Sequence, residues 1–257
     1  MIVGTPIEQV KAPDLFNARF GESGDDRVLI PVDISADRLG DFLAALRGWS
    51  NCAGCIVTVP HKSSVVGHLD RVTQRARRLG AVNVVRREPY GTLSGDNFDG
   101  AGHLAAAEAH GFNARGSRAL VVGAGAAGSA ITDTLCEAGI AELSLVDADV
   151  GRAEALEGSL RTHFPTVRIV GMPTTLSGFD LVTNATPVGM DFAPGMPLSR
   201  TLLETLEPST LVSDVVTKPV ATELLMLAAE RGCRTQSGPE MAAAQVDWLG
   251  RFLGILP

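Results

Sequence analysis

Three short runs of this 257-residue chain carry residue types able to do chemistry. Val57-Thr58-Val59-Pro60-His61-Lys62 sets a lysine just past an apolar strand, and Gly95-Asp96-Asn97-Phe98-Asp99-Gly100 sets a carboxylate at the end of another. A lysine and an aspartate brought together form a proton-transfer pair, with the carboxylate orienting the ammonium. Spacing alone favours a plainer reading, because most lysines are solvated and most Asp-x-x-Asp-Gly runs make turns. The third run is more specific. Ala119-Leu120-Val121-Val122 is an apolar strand that feeds Gly123-Ala124-Gly125-Ala126-Ala127-Gly128 and then a helix. Gly123 permits the tight turn, Gly125 admits a pyrophosphate, and Gly128 lets helix and strand pack closely. The phosphates of a dinucleotide would sit on the helix N-terminal amides, those of Ala126 and Ala127 among them.

The elements around the glycines agree with that reading. Ala127, Ile131 and Leu135 recur at helical spacing, the run 143–146 reads as the next strand, and Asp147 ends it. A carboxylate there accepts hydrogen bonds from the ribose hydroxyls and repels a 2′-phosphate. Its neighbours Ala148 and Asp149 supply no base before Arg152. The cofactor expected on these grounds is NAD in preference to NADP.

Two regions of α/β alternation must position these groups. The first, 1–100, reads as short strands near Ile2 and over 28–34 and 55–59, helices over 37–46 and 62–79, and a hairpin of 82–87 with 92–96. The second, 101–238, is entered along an alanine-rich helix that starts at Asp99 and continues through the glycine loop to strands over 167–170, 181–184 and 211–216. A last helix, over 239–253, has more apolar residues than its own sheet needs. The fold class is therefore α/β with two domains, an N-terminal α/β substrate domain and a C-terminal Rossmann-type dinucleotide-binding domain. Ligands of such sheets bind beyond the carboxyl ends of the strands.

Composition narrows the partners. A net charge of −7 offers no basic face to nucleic acid, and the arginines of 71–78 read as a solvated helix face. No apolar run is long enough to span a membrane, and the opening residues do not resemble a signal peptide, so a cytoplasmic location is expected. Cys52-Ala53-Gly54-Cys55 has the spacing of half a zinc site, but Cys136 and Cys233 stand alone, so no metal is expected and the pair reads as small core residues. His68, His103, His110 and His163 are scattered. Trp49, Trp248 and Tyr90 read as packing or surface residues.

From end to end the chain resembles the shikimate dehydrogenase family. The resemblance rests on Gly4-Thr5-Pro6-Ile7, the runs around Lys62 and Asp99, Gly80-Ala81-Val82-Asn83, and the glycine loop. Asn184-Ala185-Thr186-Pro187-Val188-Gly189-Met190, Asp214-Val215-Val216 and the stretch from Gly238 through Met241 to Gln245 continue it. It implies hydride transfer between a nicotinamide and a secondary hydroxyl of a shikimate- or quinate-like ring, with Lys62 as acid/base and Asp99 as its partner. It further implies that Thr58, Asn83 and Gln245 hold ring hydroxyls. Asn184, Thr186, Pro187, Met190 and Val215 would lie on the cofactor side, and the last helix, 239–257, would pack back on the substrate domain. The partner is then a small molecule, and the chain a monomer or homodimer.

Several positions depart from the family pattern. Two serines usual in the opening loop, which hold the substrate carboxylate, are Val10 and Ala12 here, flanking Lys11. Neither can donate a hydrogen bond. Ile56 stands for an asparagine, Phe98 for a threonine and Thr217 for a tyrosine. A carboxylate losing two hydroxyl partners forfeits roughly 1.5 to 3 kcal/mol for each. The substrate is therefore expected to shift towards a cyclic polyol, a related hydroaromatic acid or a smaller hydroxy compound, unless Lys11 or Gln9 takes the carboxylate. The rival reading is a catalytically idle NAD-binding sensor, against which Lys62, Asn83, Asp99 and Gln245 together speak. His61, beside Lys62, is read as a packing or hydrogen-bonding residue before a second acid/base.

Overall fold

In the computed structural model, the described residues are 1–8 and 10–256, and they form two sheets of six strands in two compact units. Unit 1 comprises Met1–Asp99 and the segment from Ala242 onward, and unit 2 comprises Gly100–Met241.

Unit 1 holds strands β1 (Ile2–Gly4), β2 (Pro31–Asp33), β3 (Gly54–Val57), β4 (Arg71–Val72), β5 (Val84–Arg87) and β6 (Leu93–Asp96), in the order β2-β1-β3-β5-β6-β4. β1 runs parallel to β2 and β3, β5 is antiparallel to β3 and β6, and β4 is parallel to β6. Its helices include α1 (Ala12–Ser23), α2 (Leu39–Gly48) and α3 (Gln74–Leu79). Leu39, Leu43 and Leu46 of α2 pack on Val3, Cys55, Val57, Val85 and Leu93 of the sheet. The i, i+4, i+7 spacing of those leucines is what makes the segment helical and fixes the face it buries.

The helix expected over 62–79 is broken in three. A 3₁₀ turn covers Ser64–His68, β4 follows, and only Gln74–Leu79 is α-helical. Arg47 ties down the Asp70 carboxylate and the His68 carbonyl, and Thr73 caps α3 by accepting from the Ala76 amide. The tertiary ties from Arg47 of α2 and the local Thr73 cap together outcompete helix continuation. The strand expected over 28–34 shrinks to Pro31–Asp33.

Unit 2 holds α4 (Asp99–Ala109), whose residues from Gly100 on belong to it, then β7 (Arg118–Val122), α5 (Ala126–Glu137), β8 (Glu142–Val146), α6 (Val150–His163), β9 (Arg168–Val170) and β10 (Leu181–Asn184). There follow α7 (Arg200–Leu203), β11 (Leu211–Asp214), α8 (Glu223–Glu230), β12 (Arg234–Gln236) and the start of α9 (Gly238–Leu253). The sheet order is β12-β11-β10-β7-β8-β9, all parallel, which is the strand order of a dinucleotide-binding Rossmann sheet. Alternate residues of β7 feed opposite cores: Ala119 and Val121 pack with Ile131, Leu135 and Leu143, whereas Leu120 and Val122 pack with Val182, Leu202 and Leu224. Burial on both faces explains why β7 is apolar from Ala119 through Val122 instead of alternating.

All four cysteines are free thiols. Cys55 is buried, and burial pushes its thiol up to about 12, so it behaves as the small core residue expected.

Candidate active site

In unit 1 the groups gather where β1 and β3 end. The Thr58 amide donates to Val3 O at 2.9 Å and the Thr5 amide to Val59 O at 3.0 Å, which lays the opening loop beside the Lys62 run. Gly4 makes this approach possible. A Cβ there would meet Thr58 Cγ2 at 2.4 Å and Val59 O at 2.7 Å. His61 is fully buried, its Nε2 lies 2.6 Å from Ile34 O, and its amide donates to Thr58 O at 2.9 Å. It anchors the turn that presents Lys62. The Val82 amide then donates to Lys62 O at 2.8 Å, and the Asn83 amide to Asp96 O at 3.0 Å, so β5 brings Asn83 level with both runs.

Four of the seven catalytic and substrate residues named from the sequence come together here. Lys62 Nζ donates to Asp99 Oδ2 at 2.6 Å, with side-chain exposures of 15 % and 5 %. Asn83 Nδ2 donates to Asp99 Oδ1 at 3.0 Å, and Gln245 Nε2, on α9, reaches the same oxygen at 3.4 Å. Both oxygens of the Asp99 carboxyl group therefore accept hydrogen bonds, and the Lys62 nitrogen stands at one of them. The ammonium keeps donors beyond the one given to Asp99, because a lysine carries three. Thr58 is half-buried in the run that leads to Lys62. Val10 and Ala12 flank Lys11, the cap residue of α1, and bring no polar side-chain atom to the site. Gln9 lies outside the described residues.

The support behind Asp99 was not visible in the sequence. The Asp99 amide donates to Asn97 Oδ1 at 3.0 Å, the Phe98 amide to Asn83 Oδ1 at 2.9 Å, and the Asn97 amide to Asp96 Oδ1 at 2.7 Å. Asp96 is itself held by Thr73 Oγ1 at 2.6 Å and by Arg75 through Nη2 at 2.8 Å and Nε at 3.2 Å. Arg75 therefore does not belong to a solvated helix face. Its fork grips a buried carboxylate, and breaking such a pair leaves an uncompensated charge.

Unit 2 carries the glycine cradle by itself. A Cβ on Gly128 would stand 1.8 Å from Gly123 O, whereas one on Gly125 would meet nothing within 4 Å. Gly128 thus serves the packing of α5 on β7, and Gly125 leaves room for a ligand. Gly125 caps α5 with no side-chain bond to the first-turn amides, and Ala126 and Ala127 are half-buried there. This cradle fits a pyrophosphate. Asp147 Oδ2 accepts from the Ala124 amide at 2.7 Å and Oδ1 from the Asp149 amide at 2.8 Å, while Arg152 Nη1 stands 3.8 Å from Oδ2. Burial opposes ionisation of Asp147, but the two amides and the guanidinium outweigh it and hold the carboxyl below the usual range.

Asn184 is buried and its side chain is consumed by the loop after β10. Its Nδ2 donates to Val188 O at 2.9 Å and to Asp214 Oδ1 at 3.0 Å, and its Oδ1 accepts from the Thr186 amide at 3.0 Å and the Thr186 hydroxyl at 2.7 Å. It shapes the segment presenting the half-buried Thr186 and Met190 and the exposed Pro187. Val215, after β11, is also half-buried, and its amide donates to Asn184 O at 3.0 Å.

Residues 2–85 match the family model described as the shikimate dehydrogenase substrate binding domain. Over 250 residues, covering 95 % of this chain and 87 % of the relative, the sequence is 36 % identical to the shikimate dehydrogenase (NADP(+)) of Rhodospirillum rubrum. The chain belongs to the shikimate dehydrogenase family. It is accordingly a nicotinamide-nucleotide-dependent oxidoreductase acting on a CH–OH group. The shikimate 5-dehydrogenase of Thermus thermophilus, solved with NADP(H) and shikimate, matches with a TM-score of 0.87 at 31 % identity, covering 100 % of this chain and 93 % of that one. The 5-ketofructose reductase of a Gluconobacter species matches with a TM-score of 0.88 at 29 % identity, covering 98 % and 90 %.

These relatives correct one expectation from the sequence. NAD, read from Asp147, is overturned in favour of NADP by the relatives' dependence on NADP(+). The physical reason lies in the Asp147 environment. Both its oxygens are already engaged by backbone amides, and the first turn of α6 carries Arg152 back beside it, so the carboxylate does not face a ribose without a base at hand. Among the described residues no helix is long and apolar enough to cross a membrane, and no group of three or more His, Cys, Asp and Glu is placed to hold a metal ion.

Proposed function

We propose that this chain is an NADP-dependent dehydrogenase that interconverts a secondary alcohol and a ketone on a polyhydroxylated, shikimate- or quinate-like small molecule. The observation that carries this reading is the Lys62–Asp99 pair, buried at 2.6 Å and flanked by two carboxamides. A bound nicotinamide nucleotide would supply or accept the hydride. In the reducing direction the Lys62 ammonium gives its proton to the ketone oxygen, and in the oxidising direction the Lys62 amine takes the hydroxyl proton. Asp99 keeps the nitrogen in place and offsets its charge. Asn83, Gln245 and Thr58 grip neighbouring hydroxyls, which fixes the carbon presented for transfer. The amides at the start of α5 would hold the pyrophosphate, and Arg152 would serve the 2′-phosphate. An idle nucleotide sensor would need none of the proton-transfer groups.

A second reading of the substrate is favoured by Val10 and Ala12, which bring no donor for a carboxylate. A neutral polyol or keto sugar meets the same hydroxyl-binding groups without that requirement, and a similarly folded relative reduces 5-ketofructose. The two readings part in one experiment: steady-state rates with NADP(+) on shikimate, quinate and neutral cyclic polyols, and with NADPH on keto sugars. Efficient turnover of the acids supports the first reading, turnover of neutral compounds alone the second, and turnover of none contradicts the proposed function.

A further inference from the structure

Phe98 sits between the two residues that carry the most polar bonds of the loop, yet its side chain is only 7 % exposed. Its ring stacks on Trp248 with centroids 6.0 Å apart and planes 20° apart, and meets Phe252 edge-on at 5.8 Å and 63°. The Arg75 guanidinium stands over the same ring, 4.6 Å from its centroid. Trp248 and Phe252 lie on α9 with Gln245, and the spacing 245, 248, 252 puts all three on one helix face. A single ring thus links the Arg75–Asp96 ion pair behind the Asp99 loop to the helix that delivers Gln245.

We infer that Phe98 is a positioning residue: clasped between Arg75 and Trp248, it sets the register of α9 and so holds the Gln245 carboxamide at Asp99 Oδ1. The Gln245 bond is the sensitive member of the site, because 3.4 Å is near the limit for a hydrogen bond and a small slide of the helix breaks it. Other ties also hold α9. Arg19 pairs with Asp247 at the surface, and the Leu253 side chain lies where a Cβ on Gly54 would point. Offset stacking and the cation over the ring face are directional, so they resist a slide where general apolar contact does not. The inference rests on the proposed function only for what Gln245 does to substrate.

Two measurements test it. The first needs no substrate: the side-chain amide NMR signal of Gln245, assigned by its loss in Gln245→Met, is compared in the unsubstituted protein, Phe98→Leu and Trp248→Leu. The signal shifts or broadens in both variants and recovers in Trp248→Phe, which keeps an aromatic face. The second is a double-mutant cycle with whichever compound the unsubstituted enzyme turns over. Phe98→Leu raises KM about tenfold with a smaller change in kcat, as expected for lost positioning. Adding it to Gln245→Met costs little more, because both act through one contact. An unmoved Gln245 signal, or losses in kcat/KM that multiply independently, overturns the inference. Should Phe98→Leu fail to fold, Trp248→Leu, at a residue 44 % exposed, carries the same comparison. Should the unsubstituted enzyme turn over nothing, the proposed function fails while the amide signal still decides the positioning.

Discussion

Lys62 and Asp99 are 37 residues apart in the chain and 2.6 Å apart in the fold, and the proposed chemistry depends on that convergence. Replacing Lys62 by Met removes the proton donor while keeping the aliphatic stem, so kcat is expected to fall by roughly 10²- to 10⁴-fold. Asp99→Asn keeps hydrogen bonding but leaves the ammonium uncompensated, and a smaller loss in kcat at unchanged NADP affinity is expected from the same assay. Arg152 carries the correction of cofactor. Arg152→Ala is expected to weaken NADP binding about tenfold, which corresponds to about 1.4 kcal/mol, and to leave NAD binding unchanged. Titration calorimetry with both nucleotides checks this, and equal losses for the two would contradict a 2′-phosphate role. The Lys62 and Asp99 runs were legible as residue types, but only the resemblance raised them above ordinary surface groups. Arg75 and Asp96 were illegible, because a bidentate pair formed between a short helix and a strand end leaves no periodic trace.

Among the elements, the Rossmann half is legible at its centre, where β7, β8, β10 and β11 are buried along nearly their whole length and the glycines follow β7, whereas the edge strand β12, Arg234–Gln236, has no apolar residue to announce it. The short strands of unit 1 were less so. A three-residue strand such as Pro31–Asp33, with its residues exposed or half-buried, has no hydrophobic pattern to read. The segment 62–79 departs from its helical pattern because Asp70 is held by Arg47 from another helix and Thr73 caps the next one, neither of which periodicity records. The glycine loop gives a paired prediction. Gly125→Ala, with open space for its Cβ, is expected to fold with stability within about 0.5 kcal/mol and to bind NADP weakly. Gly128→Ala, whose Cβ meets Gly123 O, is expected to lose stability in thermal melts. His103 of α4 gives a pH prediction. It is fully buried against Ser213 and Thr183, and burial pushes its imidazole down to about 4. The unfolded chain therefore takes up this proton first as pH falls, so stability drains away from about pH 6.5 to about pH 4, by about 3 kcal/mol in all. Melting temperatures of a His103→Gln variant should lose this part of the pH dependence.

At the scale of the whole molecule the sequence conveyed the family and the α/β class, while the cofactor expectation failed because Arg152 was judged by its distance along the chain. A helix turn shortens that distance in space. Substrate choice also belongs at this scale, since it depends on how the opening loop and α9 complete what the Lys62 and Asp99 runs begin. Val10→Ser with Ala12→Ser restores two hydroxyl donors and is expected to raise kcat/KM for shikimate by about tenfold or more. An unchanged value would show that the carboxylate is held elsewhere or is not held at all. The most direct test of the account is turnover with NADP(+) or NADPH across shikimate, quinate, neutral cyclic polyols and keto sugars, run in parallel on the unsubstituted enzyme and on Lys62→Met. The account predicts turnover of at least one of these compounds, reduced at least about a hundredfold in the variant while NADP still binds. Equal rates in the two proteins, or no turnover by the unsubstituted enzyme despite NADP binding, would contradict it.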